Sequence, residues 1–251
     1  MLIKTVKTRK IIPEKDRDLF SILKRYLPKL KENSIVVVTS KVVAICQGRI
    51  ADPKEITRDE LAEKEADWYL PRSLNKYHFM LTIKRNTMIA SAGIDESNGA
   101  GYYILWPKDP QKSANKIRAF LKKKFGLKDL GVIITDSKLT PLRWGVTGVA
   151  IAHSGFLALN DYRKKPDIFG RKLKVTQANV AEGLAVASVL AMGEGKEQTP
   201  ITVIEDVPFV KFQKRNPSQK ELKALQISLK EDVYGSMLTS VSWKKGGGGQ
   251  N

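Results

Sequence analysis

Strand-like runs that follow one another with no helix between them constrain this chain most. Phe79 to Ala90 reads as two short strands around the turn Lys84-Arg85-Asn86, and Tyr102 to Trp106 as a third, with only the small, polar string SAGIDESNGAG before it. A sheet built only from strand–helix–strand units does not produce that order. The fold class expected is therefore α+β, with mixed sheets and flanking helices.

The rest of the chain supplies those helices and the remaining strands. Leu2 to Ile12 reads as a strand ended by Pro13, and Asp18 to Leu27 as an amphipathic helix with Leu19, Ile22, Leu23 and Leu27 on one face. Ser34 to Ala44 reads as a buried strand, Ile35-Val36-Val37-Val38, with the turn Thr39-Ser40. Glu55 to Tyr69 is acidic and helical up to Pro71, which removes a donor and clashes with the preceding turn. Pro110 to Phe125 is a basic helix, Gly131 to Thr135 and Gly145 to Gly155 are strands, and Ala178 to Met192 is an Ala-rich helix closed by Gly193 and Gly195. Ile201 to Glu205 and Phe209 to Phe212 read as strands. Ser218 to Leu238 reads as a helix opened by the capping box Ser218–Glu221. Three stretches are expected: a main domain over 1–206, a helical extension over 207–243, and a flexible tail over 244–251 that ends in GGGGQN.

Composition narrows the partners. With 44 Lys and Arg against 26 Asp and Glu, the formal charge of +18 suits polyanions, but the basic clusters lack the interleaved aromatics of a single-strand binding surface. Small anionic molecules are the expected partners, rather than nucleic acid or a membrane. The single cysteine, Cys46, allows no intrachain disulfide and no cysteine metal cluster. Without a hydrophobic signal core or an apolar run long enough to span a bilayer, the chain reads as cytoplasmic.

In so basic a chain, Asp95 and Asp136 are informative, because each sits where an apolar run breaks into small polar residues. Oxygen-rich turns suit hard divalent cations; Asp in such turns also simply bonds its own backbone, and that reading stays open. No GxxxxGK[ST] loop and no GxGxxG is present, and His78 and His153 have no partner at ligand spacing. Trp106 and Trp144 read as core or interface aromatics. What remains is Thr39-Ser40, Asp95 with Asn98, Asp136-Ser137, and the turn Met192-Gly193-Glu194-Gly195.

These pieces, with Pro141, Arg143 and Gly145, VAI at 149–151, DYR at 161–163, FGR at 169–171 and VT at 175–176, resemble the coenzyme F-420 gamma-glutamyl ligases over about residues 1–206. The resemblance implies a GTP-dependent ligase that joins L-glutamate to the carboxylate of a phospholactyl deazaflavin with Mg²⁺ or Mn²⁺, as an intertwined homodimer. It implies that Asp95 and Asp136 ligate one metal, and that Ser137 and a residue of the 194–198 turn, Glu194 or Gln198, serve a second. Asn98 and Thr39-Ser40 would touch the nucleotide. Arg143 would grip an anion, with a structural ion pair as the equal alternative.

The chain departs from the family in three places. VSKAEGR is here VAICQGR, so Ile45 replaces a nucleotide lysine, with Lys41 the nearest substitute; Gly148 lacks a carboxylate or amide; ADEL is here AEGL, which places an acid at Glu182 and removes one at Gly183. Three functions stay open: a nucleotide-dependent ligase adding glutamate or another amino acid to an acidic small molecule, a relative that binds small molecules or nucleotides without the original turnover, and a basic nucleic-acid-binding protein.

Overall fold

Thr39 and Thr135 end up side by side, and the rest of the architecture follows from how their two strands come together. The structure is a computed structural model that describes residues 1–249. In chain order the elements begin with β1 (Leu2–Val6), α1 (Leu19–Tyr26), β2 (Ser34–Thr39), α2 (Ser40–Cys46), β3 (Ile50–Ala51), α3 (Arg58–Glu65) and β4 (Trp68–Leu70). There follow β5 (Leu81–Lys84), β6 (Thr87–Ala90), β7 (Tyr103–Ile104), α4 (Pro110–Phe125), β8 (Leu130–Leu139), β9 (Val146–Ser154), β10 (Leu159–Asp161) and β11 (Gln177–Asn179). The last are α5 (Val180–Met192), β12 (Ile201–Glu205), α6 (Gln219–Lys223), α7 (Gly235–Thr239) and β13 (Lys244–Lys245).

The main sheet has the order β1-β12-β2-β8-β9. Only β2 and β8 run parallel, in register from Ser34 opposite Leu130 to Thr39 opposite Thr135, so Ser40 and Asp136 leave the sheet at the same edge. Because successive side chains point to opposite faces, Val36, Val38, Val132 and Ile134 pack under α1 and α4 through Leu23, Ile117 and Leu121. Ile35, Val37 and Ile133 pack on the other face against Leu184 and Ala185 of α5. A smaller sheet, β13-β4-β5-β6, sits by a third core that joins Leu61 and Ala62 of α3 to Met80 and Leu105. The α+β expectation with mixed sheets holds.

Several expected bounds differ, each for a local reason. Strand β1 stops at Val6, not Ile12. The Asp16 carboxylate accepts the Ile12 amide at 2.7 Å and the Arg9 guanidinium, and the Thr8 amide donates to the Gln198 carbonyl at 2.8 Å, which draws residues 8–12 off the sheet. The run after Thr39 is helix α2 and not more strand. All of Val42 to Cys46 are buried, so the run shows no polar face whose period could distinguish the two.

Helix α3 is shorter than Glu55 to Tyr69. Its capping box is Thr57–Glu60, and after Glu65 the chain turns into β4, with the Asp67 amide donating to Ile83 at 2.8 Å. The single helix expected over Ser218 to Leu238 is two short ones, the first opened by the expected Ser218–Glu221 box. Ile227, Val233, Tyr234 and Met237 are exposed there, so there is no apolar face whose burial would sustain a long helix. Phe209 to Phe212 forms one bridge, Phe156 to Phe212, and no strand. In the stretch expected as a flexible tail, Lys244–Lys245 pair with β4, and the amides of Gly246 to Gly249 donate to the carbonyls of Asp67, Glu63, Ala66 and Lys64 at the end of α3. Those of Glu63, Lys64 and Ala66 are carbonyls a helix end leaves without intrahelical partners. Residues 250–251 lie outside the described residues.

His153 on β9 is only 3% exposed and meets the Phe156 ring edge-on at 5.4 Å. Burial pushes its imidazole down to about 4, against a small opposing pull from Glu221. The folded state therefore holds it neutral while the unfolded chain takes up a proton below 6.5. Its contribution is complete above pH 6.5 and is lost as the pH falls toward 4, at up to about 1.4 kcal/mol per unit. Urea unfolding at pH 7 and pH 5 should show a smaller acid loss in His153→Gln than in the wild type; equal losses would refute the assignment.

Candidate functional site

The parallel pairing of β2 with β8 sets the site. Thr39 closes β2 in an extended conformation and caps α2, and its buried hydroxyl has no hydrogen-bond partner in the protein. One residue into the helix, the Lys41 ammonium reaches Asp95 at 2.6 Å and donates to the Ser97 carbonyl at 2.8 Å. Asp95 is anchored by backbone bonds in both directions with Ile104, at 2.9 and 2.8 Å, and its carboxylate accepts the Ser97 amide at 2.6 Å. Burial works against its charge, but Lys41 and Ser97 hold the carboxyl below its ordinary range.

Asp136 follows Thr135 on β8. Its Oδ2 accepts the indole N–H of Trp106 and its Oδ1 accepts the Ser137 amide at 2.9 Å. The carboxyl lines the cavity, and desolvation by the surrounding protein pushes its pKa up to about 6, with nearby Asp95 adding repulsion. Glu194 comes in from the turn after α5; burial raises its pKa too, with nearby Asp95 and Glu197 adding to the rise and Lys41 and Ser137 opposing it. Asn98, at a left-handed φ of 55°, donates from Nδ2 to the Gly195 carbonyl at 3.0 Å and so ties the Asp95 loop to the 194–198 turn.

A cavity of about 440 Å³ opens between these loops. Thr39, Ser40, Lys41, Asp95, Asn98, Asp136, Ser137, Glu194 and Gln198 all line it, so residues far apart in the chain meet in one place. Arg143 does not. It sits in the exposed turn between β8 and β9 and donates to the carbonyl of its neighbour Leu142 at 2.8 Å. Ile45 lines the wall as an apolar residue, 2% exposed.

Sequence reasoning missed two contributors. Residues 8–12, read as strand, line the cavity beside Gln198; the contacts that draw them there, Arg9 with Asp16 and the Thr8 amide with Gln198, left no signal in residue order. Trp106, read as core, is core, but its N–H reaches Asp136. A buried indole usually finds an acceptor for its N–H, and that requirement was the available signal.

The donors suit a hard divalent cation. Asp95, Asp136, Glu194 and the Ser137 hydroxyl offer only oxygen to the cavity. Among the described residues no three Asp, Glu, His or Cys side chains form a ready-made cage. Mg²⁺ is typically held in this way, by one or two carboxylates with water and substrate phosphates completing the shell. The unpartnered Thr39 hydroxyl, the Lys41 ammonium and the Asn98 loop stand where a polyanionic ligand could be held beside it.

The comparisons agree in extent. The family described as F420-0:Gamma-glutamyl ligase matches residues 6–206. Similar relatives include the coenzyme F420:L-glutamate ligase of Methanocaldococcus jannaschii, 34% identical over 78% of this chain and 79% of the relative. The protein of the same name in Methanopyrus kandleri is 36% identical over 70% of this chain and 75% of its own. That of Methanococcus maripaludis is 33% identical over 78% of each.

Proposed function

Because the chain belongs to the F420-0:gamma-glutamyl ligase family, we propose that it is a nucleotide- and divalent-cation-dependent ligase forming an amide between L-glutamate, or another amino acid, and an acidic small molecule. The observation that carries this reading is the convergence of Asp95, Asp136, Ser137, Asn98 and Glu194 with Thr39, Ser40 and Lys41 around one cavity. In the proposed sequence a substrate carboxylate oxygen attacks the terminal phosphorus of GTP or another nucleoside triphosphate. The nucleoside diphosphate leaves, and the amine then attacks the acyl carbon, losing a proton as phosphate departs.

Mg²⁺ or Mn²⁺ held by Asp95, Asp136, Ser137, Glu194 and Gln198 would neutralise charge on the transferred group and orient both reactants. The protein's own groups do the rest. Lys41 supplies positive charge beside Asp95; the Thr39 hydroxyl and the Asn98 loop hold the nucleotide; the 194–198 turn, tied to the Asp95 loop by Asn98, forms part of the cavity wall. The reading includes a homodimer. Leu142, Trp144, Ile168 and Phe169, each at least 86% exposed on two projecting loops, support it. Arg143 lies between two of them and would meet an anion only across such an interface.

Among the described residues no helix is long and apolar enough to cross a membrane. Titration calorimetry with Mn²⁺ present should show binding of GTP, ATP or GDP, and Lys41→Met should weaken it about tenfold, the scale of one charge-assisted contact. Absence of heat with every nucleotide removes the ligase reading. Binding without turnover on any amino acid leaves the binding relative, which Ile45 in the cavity wall favours.

A further inference from the structure

Trp106 stands between the site and a buried ion cluster. Its ring is 1% exposed. On one side Lys84 lies 5.6 Å from the ring centroid, and Lys84 pairs with Glu65 at 2.6 Å. Arg49 pairs with the same carboxylate at 2.7 Å and donates to the Trp106 carbonyl at 3.2 Å. On the other side the indole N–H donates to Asp136 Oδ2. The seat is shaped for this ring. Gly93 has φ +73°, and a Cβ placed there would lie 2.2 Å from the indole nitrogen, so only glycine lets the N–H edge pass toward Asp136.

Each Asp136 oxygen thus accepts one protein donor, Trp106 on Oδ2 and the Ser137 amide on Oδ1. Two donors on opposite oxygens fix the plane and rotamer of a carboxylate and leave one lone pair of each oxygen for the cavity. Groups that orient a ligating side chain are worth roughly 10- to 100-fold in metal affinity.

We propose that Trp106 is a positioning residue, whose indole N–H clamps Asp136 in the orientation that presents its free lone pairs to a divalent cation in the cavity. The proposal rests on the reading of Asp136 as a cation ligand. The clamp itself, however, is a property of the protein alone.

Two measurements test it. In ¹⁵N-labelled protein without metal, the Trp106 indole N–H resonance, assigned by its loss in Trp106→Phe, should lie downfield and move upfield in Asp136→Ala, which leaves no acceptor. An unmoved resonance overturns the clamp whatever the cation does. Free Mn²⁺ measured by electron paramagnetic resonance, with no nucleotide present, should show affinity falling at least tenfold in Trp106→Phe, which keeps an aromatic ring and removes the donor. Wild-type affinity in Trp106→Phe, together with its loss in Asp136→Asn, overturns the positioning role while the ligand reading stands. Unchanged Mn²⁺ affinity in Asp136→Asn overturns both.

Discussion

Asp136→Asn is expected to lower kcat/KM for amide formation at least 100-fold, about 2.7 kcal/mol of transition-state stabilisation, while leaving the fold intact. The amide keeps the shape, and its oxygen still accepts one of the two donors that reach Asp136. It cannot carry the charge a cation needs. Relief of the desolvation that pushes Asp136 up to about 6 offsets the hydrogen bond lost where the amide NH₂ faces a donor, so without added metal this variant should be about as stable as the wild type. Steady-state kinetics and thermal unfolding on the same preparation decide the matter. Wild-type turnover would show that Asp136 is no ligand, and a fall in both activity and melting temperature would show that it is structural.

The second large effect is on stability. Glu65→Gln should destabilise the chain by about 3–5 kcal/mol, because it leaves Lys84, 4% exposed, without its counter-charge. Burial by itself would raise the Glu65 carboxyl, but Lys84 and Arg49 together hold it below the ordinary range. Burial pulls the Lys84 ammonium down, and the Glu65 carboxylate resists. With Glu65 neutralised, the folded state should hold Lys84's proton still less well than the unfolded chain does. The variant should therefore regain stability as the pH rises toward 10.5. Urea unfolding of Glu65→Gln, and of Glu65→Gln with Lys84→Met, separates the effects. The double variant should recover much of the loss, since replacing both partners removes the unpaired charge. If the single variant unfolds at the wild-type urea concentration, the cluster contributes nothing.

Much of this arrangement could be read from residue order. β2, β8 and β12 are short apolar runs with turn residues at their ends, α4 has Asp109 as its cap and Gly126 as its stop, and both runs that carry the acids of the site end in small polar residues. What stayed hidden depended on tertiary partners. Val42 to Cys46 is β-branched enough for a strand, and with every residue of it buried the run carries no polar face to mark it as helix. Residues 8–12 leave the sheet for contacts made with Asp16 and Gln198, the second of which lies far along the chain. Arg143 matched an anion-binding position in order, but position in the chain could not reveal that it sits in an exposed turn and takes no part in lining the cavity. Trp106 looked like any buried aromatic, since its neighbours in sequence do not include the acid it reaches.

The order β1-β12-β2 also governs how the molecule is made. The strand that separates β1 from β2 is contributed by Ile201–Glu205, long after both have been synthesised. As the nascent chain emerges, β2 can find β8 and β9, but β1 and one edge of β2 wait with unpaired amides and carbonyls until nearly the whole family-matched segment has left the ribosome. Unpaired edges are templates for association with other chains, and distant pairings close slowly. A polypeptide released before Glu205 would keep most of its cavity residues and still present an open slot in its central sheet, so the burden of solubility falls on the last strand to arrive.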